Sequence, residues 1–287
     1  MVTNRGSFLK KPMRLGFKKF DGLVSAPFST KLKYTEKLIQ KSLERYKNPC
    51  VACSFGKDST LVLYLVRKYK PDIPVVFNNT GVEYPETLQF RDFLVKEWDL
   101  NFYETKPIKT FWQCVKEYGL PGLKWARGSQ GKKEPRCCYY LKERPAYLLY
   151  KKEGIDATYT GLSYDESYGR KWLFIWYGDE YLVTTHGKMR SITKIHPIAY
   201  WTTEEVWQFI RKEEIPINKA YQKVQRVGCM TCTAYKGWED QMKKINPKLY
   251  QYIKKIAIEE KTERLKEEGQ KILTEYVDNR VEVSGIC

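Results

Sequence analysis

Cys50-Val51-Ala52-Cys53-Ser54-Phe55-Gly56-Lys57-Asp58-Ser59-Thr60-Leu61-Val62-Leu63-Tyr64-Leu65-Val66 decides the fold. An apolar run, a loop of small residues and a second apolar stretch, in that order, read as strand, tight turn and helix. Downstream the unit recurs. Pro74-Val75-Val76-Phe77-Asn78-Asn79 leads through Thr80-Gly81 into a helix from Pro85, a favoured first helical residue, to about Trp98. Further strands are expected at Asn101–Thr105 and Ala157–Thr160, with a helix from Arg136 to about Lys152 between them. Strands alternating with helices predict an α/β fold, a parallel twisted sheet with helices on both faces.

Upstream, residues 1–30 carry Gly6, Pro12, Gly16, Gly22 and Pro27 among basic side chains and read as an irregular basic arm. A helix is expected from Ser29 or Thr30 as N-cap to about Tyr46, ended by Asn48-Pro49. Glycines and basic residues over 119–135 suggest a long loop beside a site, or a plain connection. Trp172 to Val183 reads as a hairpin, and Thr202 followed by Glu204-Glu205 is an N-cap signal for the next helix. Beyond Cys232 the chain reads as helical with a fresh start at Pro247. The expected organisation is an arm over 1–30, an α/β domain over 31–205 and a helical C-terminal region over 206–287.

The chain has 287 residues, 42% apolar and 15% aromatic, enough for a sizeable core, and no repeat or low-complexity tract. No stretch approaches the roughly 18 uninterrupted apolar residues of a membrane span. No signal-peptide core follows the basic N-terminus, so a soluble cytoplasmic protein without a membrane partner is expected. A formal net charge of +17 favours a polyanionic partner or a highly charged substrate; a solvated Lys-rich surface is the plain alternative. Residues 1–48 hold 12 Lys and Arg against 3 acidic residues.

Ser54-x-Gly56-Lys57-Asp58-Ser59 places backbone N–H groups, two hydroxyls and a lysine at a helix N-terminus, where phosphate or sulfate is favoured. Its spacing is not that of a Walker A loop, and an ordinary capped turn is the alternative. The eight cysteines are too few for a disulfide scaffold of this length. Cys137-Cys138 and Cys229-Met230-Thr231-Cys232 make two close pairs suited to a metal. Vicinal thiolates on a helix diverge and suit a [4Fe–4S] cluster, each taking a different iron, better than a zinc ion; zinc and a redox disulfide remain the alternatives. Cys50 and Cys53 lie three apart in a buried strand, facing opposite sides, and read as core; so does Cys114. His186 and His196 have no ligand-like spacing and read as structural. Cys287, the final residue, is either an activated nucleophile or an ordinary surface thiol.

Taken together, Ser54–Ser59, Asn79-Thr80-Gly81-Val82-Glu83-Tyr84-Pro85-Glu86-Thr87, Cys137-Cys138, Thr160-Gly161-Leu162-Ser163-Tyr164-Asp165-Glu166-Ser167-x-x-Arg170, Pro197–Trp207 and Cys229-x-x-Cys232 are specific. Over about residues 35–245 the chain resembles the sulfonucleotide (PAPS/APS) reductases of the PP-loop ATP-pyrophosphatase superfamily. The resemblance implies an adenine nucleotide alpha hydrolase-like fold and an adenine nucleotide (PAPS, APS or ATP, with or without Mg). Nucleotide-binding roles fall on Ser54, Gly56, Lys57, Asp58, Ser59, Thr80, Gly81, Gly161, Glu166, Ser167 and Arg170. It also implies a [4Fe–4S] cluster on Cys137, Cys138, Cys229 and Cys232. By position Cys287 would attack the sulfur of adenylylated sulfate, with Lys142 and Arg144, or Arg170, offering charge, and a thioredoxin-like reductant would release sulfite. A homodimer is compatible with this.

Lys57-Asp58-Ser59 also resembles loops that cleave ATP between the α- and β-phosphates. The rival reading is therefore an ATP-dependent sulfur transferase that adenylylates nucleic acid, by tRNA thiolation or DNA phosphorothioation, with the basic arm on the tRNA or DNA. A non-catalytic nucleic-acid-binding module is a third reading, disfavoured by the complete cysteine set.

Overall fold

The computed structural model describes residues 7–9, 15–122, 136–185, 191–235, 237–260, 262–263 and 266–267. They divide into two compact units, one from residues 1–111 and 137–230, the other from 112–136 and 231–287.

The first unit is built on a seven-stranded sheet in the order β1-β6-β7-β5-β2-β3-β4. Its strands are β1 (Ser7–Leu9), β2 (Pro49–Ala52), β3 (Val75–Asn78), β4 (Phe102–Thr105), β5 (Ala157–Tyr159), β6 (Glu180–Thr185) and β7 (Ile192–Ile195). The five strands from β7 to β4 pair in parallel, while β6 runs antiparallel to β7 and β1 antiparallel to β6. From β2 the chain steps outward to β3 and β4, then returns to the other side of β2 for β5. The sheet therefore has its switch point between β2 and β5, where the loops leaving neighbouring strands diverge and open a crevice.

Helices α3 (Lys57–Arg67) and α4 (Pro85–Glu97) follow the first two parallel strands. The α3 face Leu61-Val62-Leu63-Leu65-Val66 is wholly buried, against Val51, Val75, Phe77 and Tyr159 of the sheet. Each such side chain contributes about 1.5–3 kcal/mol. Helix α2 (Phe28–Arg45) buries Ile39, and its Ser42 hydroxyl meets the Tyr159 hydroxyl at 2.7 Å. Helix α9 (Thr203–Lys212) starts at the Thr202 cap expected from sequence, with a complete capping box through Glu205. Glu205 also pairs with the buried Lys31 at 2.9 Å.

Three expectations need correction. The arm is not irregular throughout: Phe17–Val24 is helix α1, and Phe20 is buried against Tyr164 and Tyr200 while Lys18 and Lys19 face water. Eight residues are too few for that one-sided pattern to stand out among so many charges. The next helix starts at Phe28 after Pro27, ahead of Ser29 and Thr30. Residues 172–183 are not a hairpin. Tyr168–Tyr177 forms helix α8, started by Ser167, whose hydroxyl accepts the Arg170 N–H, and ended by Gly178 at φ 72°. Local capping outweighs the strand preference of the aromatic run.

In the second unit, Trp238–Ile245 is helical and residues 247–260 form a further helix, with Asn246 Oδ1 accepting the Leu249 N–H. Trp238 and Tyr250 are buried in this unit. A Cβ on Gly122 would come within 2.6 Å of the Ala234 Cα, so these two loops touch backbone to backbone. None of the described helices is long and apolar enough to cross a membrane.

Candidate functional site

The loop between β2 and α3 is set by small groups bonding to their own backbone. The Ser59 hydroxyl accepts the Ser54 N–H at 3.1 Å, lies 3.2 Å from the Ser54 hydroxyl and donates to the Gly56 carbonyl at 3.1 Å. Phe55 holds a left-handed backbone, φ 57°, and its ring is buried among Phe77, Phe90 and Phe102. Lys57 Nζ lies 2.7 Å from both carboxylate oxygens of Asp58. This cation sits at the positive end of α3 with its charge already half spoken for.

The strand on the far side of the switch point closes against this loop. A Cβ on Gly161 would lie 2.6 Å from the Asp58 carbonyl carbon and from the Ser59 nitrogen, so only glycine permits the approach. Glu166 and Ser167 are committed to backbone. Glu166 completes a capping box with Ser163, and Ser167 caps α8. Arg170 forms an ion pair with Glu166 and is three-quarters hidden from water. Burial first, then the neighbouring Arg226 guanidinium, pull Arg170 down to about 10, against the attraction of Asp58. Two guanidiniums and a lysine, set against Asp58 and Glu166, leave the crevice net cationic.

Thr80 and Gly81, after β3, meet the cysteine segment. The Thr80 hydroxyl donates to Glu83 Oε1 at 2.6 Å and receives Cys229 Sγ at 3.6 Å. Gly81 stands at φ 74°, its N–H on Asn79 Oδ1 at 3.0 Å. Glu83 and Cys229 form an antiparallel bridge, extended by the Met230 N–H on the Val82 carbonyl at 2.8 Å.

Beyond helix α5 (Phe111–Tyr118), Cys137 and Cys138 end a short α-helical turn, α6 (Arg136–Cys138), that runs into a π-helical turn (Tyr139–Glu143) and then helix α7 (Arg144–Lys152). The extra residue per turn, a feature common at functional sites, lies directly after the cysteine pair. Lys142 projects from it. Burial opposes its charge, yet the nearby Cys229, Glu83 and Cys138 together raise its affinity for the proton. Burial raises the Cys229 thiol, against the pull of Lys142. Arg144, by contrast, is exposed.

Lys142 is thus brought together with Cys138 and Cys229, and Gly161 with Asp58 and Ser59. Cys232 is half-buried and belongs to the second unit. Among the described residues no group of three or more His, Cys, Asp and Glu side chains converges as a metal site. Cys287 and His186 lie outside the described residues, as does most of the 119–135 loop. Cys50 and Cys53 are buried in separate clusters on opposite faces of the sheet, and burial pushes each thiol up to about 11. His196 is buried, its Nδ1 2.6 Å from the Thr160 hydroxyl.

Sequence reading missed the segment between α9 and Cys229. Asn218 Nδ2 donates to the Phe55 carbonyl at 3.1 Å and to the Thr87 hydroxyl at 3.0 Å, while Lys223 pairs with Glu86 at 2.6 Å. The Tyr221 hydroxyl accepts the Lys57 N–H at 2.9 Å. No motif flags these residues; only their place over the loop does.

Fold and site define an α/β protein whose switch-point loop gathers serine hydroxyls and cations, in a unit that also brings Lys142 near Cys138 and Cys229. Residues 48–235 match the phosphoadenosine phosphosulfate reductase domain family. The chain belongs to that family. It is 29% identical over 225 residues to an adenosine 5'-phosphosulfate reductase of Staphylococcus epidermidis, covering 75% of this chain and 85% of that protein. It is 27% identical over 218 residues to a phosphoadenosine 5'-phosphosulfate reductase of Xanthomonas axonopodis, covering 75% and 82%. Among solved structures, the FMN adenylyltransferase of Candida glabrata with FAD and pyrophosphate shares the fold, with a TM-score of 0.52 at 12% identity, covering 73% of this chain and 68% of that one.

Proposed function

We propose that the protein is an oxidoreductase that binds adenylylated sulfate, APS or PAPS, at the switch-point loop and reduces it to sulfite. The observation that carries this reading is Lys142. It joins Cys138 and Cys229 on the segment that contacts Thr80, and so links the cysteine pair to the Thr80–Gly81 loop at the carboxyl end of the sheet. Family membership and the cationic crevice around Lys57, Arg170 and Arg226 support a nucleotide with an anionic end.

In this reading Ser54, Gly56, Ser59, Thr80 and Gly81 present donors to the nucleotide, and Gly161 lets the neighbouring strand close on the loop. Lys142 and Arg170 neutralise charge on the sulfate, where fixed cations stabilise the developing negative charge better than water does. The Cys287 thiolate attacks the sulfate sulfur. An S–S bond forms, the S–O bond to the nucleotide breaks, and the electron pair leaves with AMP or its 3'-phosphate. A thioredoxin-like dithiol then reduces the thiosulfonate, leaving as a disulfide and releasing sulfite.

Cys137, Cys138, Cys229 and Cys232 would hold a [4Fe–4S] cluster. The donor chemistry fits: four thiols in two close pairs, with Lys142 placed to balance thiolate charge. Such a cluster, when bound, supplies electrostatic organisation near the sulfate. Iron and sulfide analysis of anaerobically purified protein, with absorbance near roughly 400 nm, is expected to show the cluster, and Cys229→Ser to lose it.

The second reading, ATP-dependent thiolation of tRNA or DNA, draws on the net charge of +17 and on the Lys57–Asp58 pair. Calorimetric titration with APS, PAPS and ATP separates the two. A preference for a sulfonucleotide of about tenfold or more, about 1.4 kcal/mol, supports reduction. A preference for ATP, with nucleic-acid binding that falls steeply with salt, supports thiolation.

A further inference from the structure

The loop's first helical amide, Lys57 N–H, is taken by a phenol and not by the loop itself. Tyr221 reaches it from the short 3-10 turn Lys219–Gln222, at 2.9 Å. The same hydroxyl would stand 3.2 Å from a Cβ on Gly56, so the bare backbone there leaves room for it. A hydroxyl that accepts a hydrogen bond keeps its own proton to give. Among the described residues no acceptor takes that proton.

The ring is firmly held. It packs edge-on against Trp207, with centroids 5.3 Å apart. The turn that carries it is pinned by the buried Asn218, which bonds the Phe55 carbonyl and Thr87 through Nδ2 and caps the Ala220 N–H through Oδ1. Moving the turn itself aside would strip Asn218 of buried hydrogen bonds, which is expensive, and rotating the ring alone would give up the Trp207 contact and the Lys57 bond. Val227, next to Arg226, also approaches Gly56, so this segment lies along the loop and brings a guanidinium with it. The phenol is therefore a fixed wall of the crevice and not a plug.

We propose that Tyr221 is a ligand-binding residue of the loop: its hydroxyl, fixed by the Lys57 amide, donates its proton to an anionic oxygen of the bound nucleotide. The 218–229 segment thereby joins the anion cradle at Tyr221 to Cys229 at its other end. The proposal rests on the reading that the loop holds an anionic nucleotide.

The test is calorimetric titration of the full-length protein and its Tyr221→Phe variant with APS, PAPS, ATP and inorganic pyrophosphate, with adenosine as the uncharged control. Phe keeps the ring on Trp207 and removes only the hydroxyl. The expected result is tenfold or weaker binding of whichever anion the wild-type protein takes, with adenosine binding unchanged and a single cooperative thermal transition retained. Unchanged anion binding overturns the proposal, and tighter binding overturns it too, by showing that the phenol merely blocks the amide. If the wild-type protein takes ATP or pyrophosphate but neither sulfonucleotide, the substrate reading fails, while loss of that binding in Tyr221→Phe still upholds Tyr221. Absence of binding of all four anions overturns both.

Discussion

At Phe55 a large side chain occupies a backbone conformation that favours glycine. The left-handed backbone costs roughly 1–2 kcal/mol, and burial of the ring among three other phenylalanines offsets it. Phe55→Ala keeps the strain and loses the ring, at about 3–5 kcal/mol. Phe55→Gly loses the ring but relaxes the backbone, so the glycine variant is expected to be the more stable of the two by urea denaturation. The reverse order would show that the left-handed turn carries no strain. Gly161 makes the complementary case, where absence of a side chain does the work. Gly161→Ala drives a methyl against the Asp58–Ser59 peptide and is expected to weaken nucleotide binding by about tenfold or more in a protein that still folds. Equal affinity in a titration would mean that the loop tolerates displacement.

Among the elements, α9 shows how one side chain serves two structures. Glu205 closes the capping box with Thr202 and also receives the buried Lys31 from α2. Thr202→Ala is expected to cost about 1 kcal/mol and Lys31→Ala about 3 kcal/mol, because the latter leaves a partly buried carboxylate unpaired. As both act through Glu205, the double variant should cost measurably less or more than their sum, and additivity in thermal denaturation would refute the sharing. The cap was legible: Thr followed three residues later by Glu is a local pattern. So were the parallel strands and α3 and α4, whose apolar runs are bounded by Gly, Pro and Asn. Helix α8 was not, since its Trp-Leu-Phe-Ile-Trp-Tyr run favours strand by composition and only Ser167 and Gly178 mark its ends. The π-helical turn after Cys138 was equally hidden, being one added residue within an otherwise helical pattern.

For the molecule as a whole, the sequence located the Ser54–Ser59 loop, the Gly161 segment and the cysteine pairs because each is contiguous. It missed Tyr221 and Asn218 because their partners lie more than a hundred residues away and meet only through the topology of the sheet. That topology also buries His196, whose imidazole is held down to about 3 by burial first and by Lys194 and Arg170. A base with a lowered folded-state pKa contributes stability that is full above its ordinary value near 6.5 and fades as pH falls toward 3. The thermal midpoint is expected to drop as pH falls from about 6.5 to 4, and His196→Gln to flatten the slope. Asp179, held above its ordinary value of 3.8 by burial, slopes the other way just above that value, in the lower part of the same range. A slope that His196→Gln leaves unchanged would contradict the neutral buried imidazole.

The central claim, that this chain takes the sulfonate of an adenylylated sulfate onto its own thiol, is tested most directly by intact-protein mass spectrometry. Anaerobically purified protein is incubated with APS or PAPS in the absence of any reductant, followed by peptide mapping. The account predicts a mass gain of one SO3 group on Cys287, absent in Cys287→Ser and removed by a thioredoxin-like dithiol with release of sulfite. An unmodified chain with both nucleotides, alongside release of AMP from ATP when tRNA or DNA is present, would contradict it.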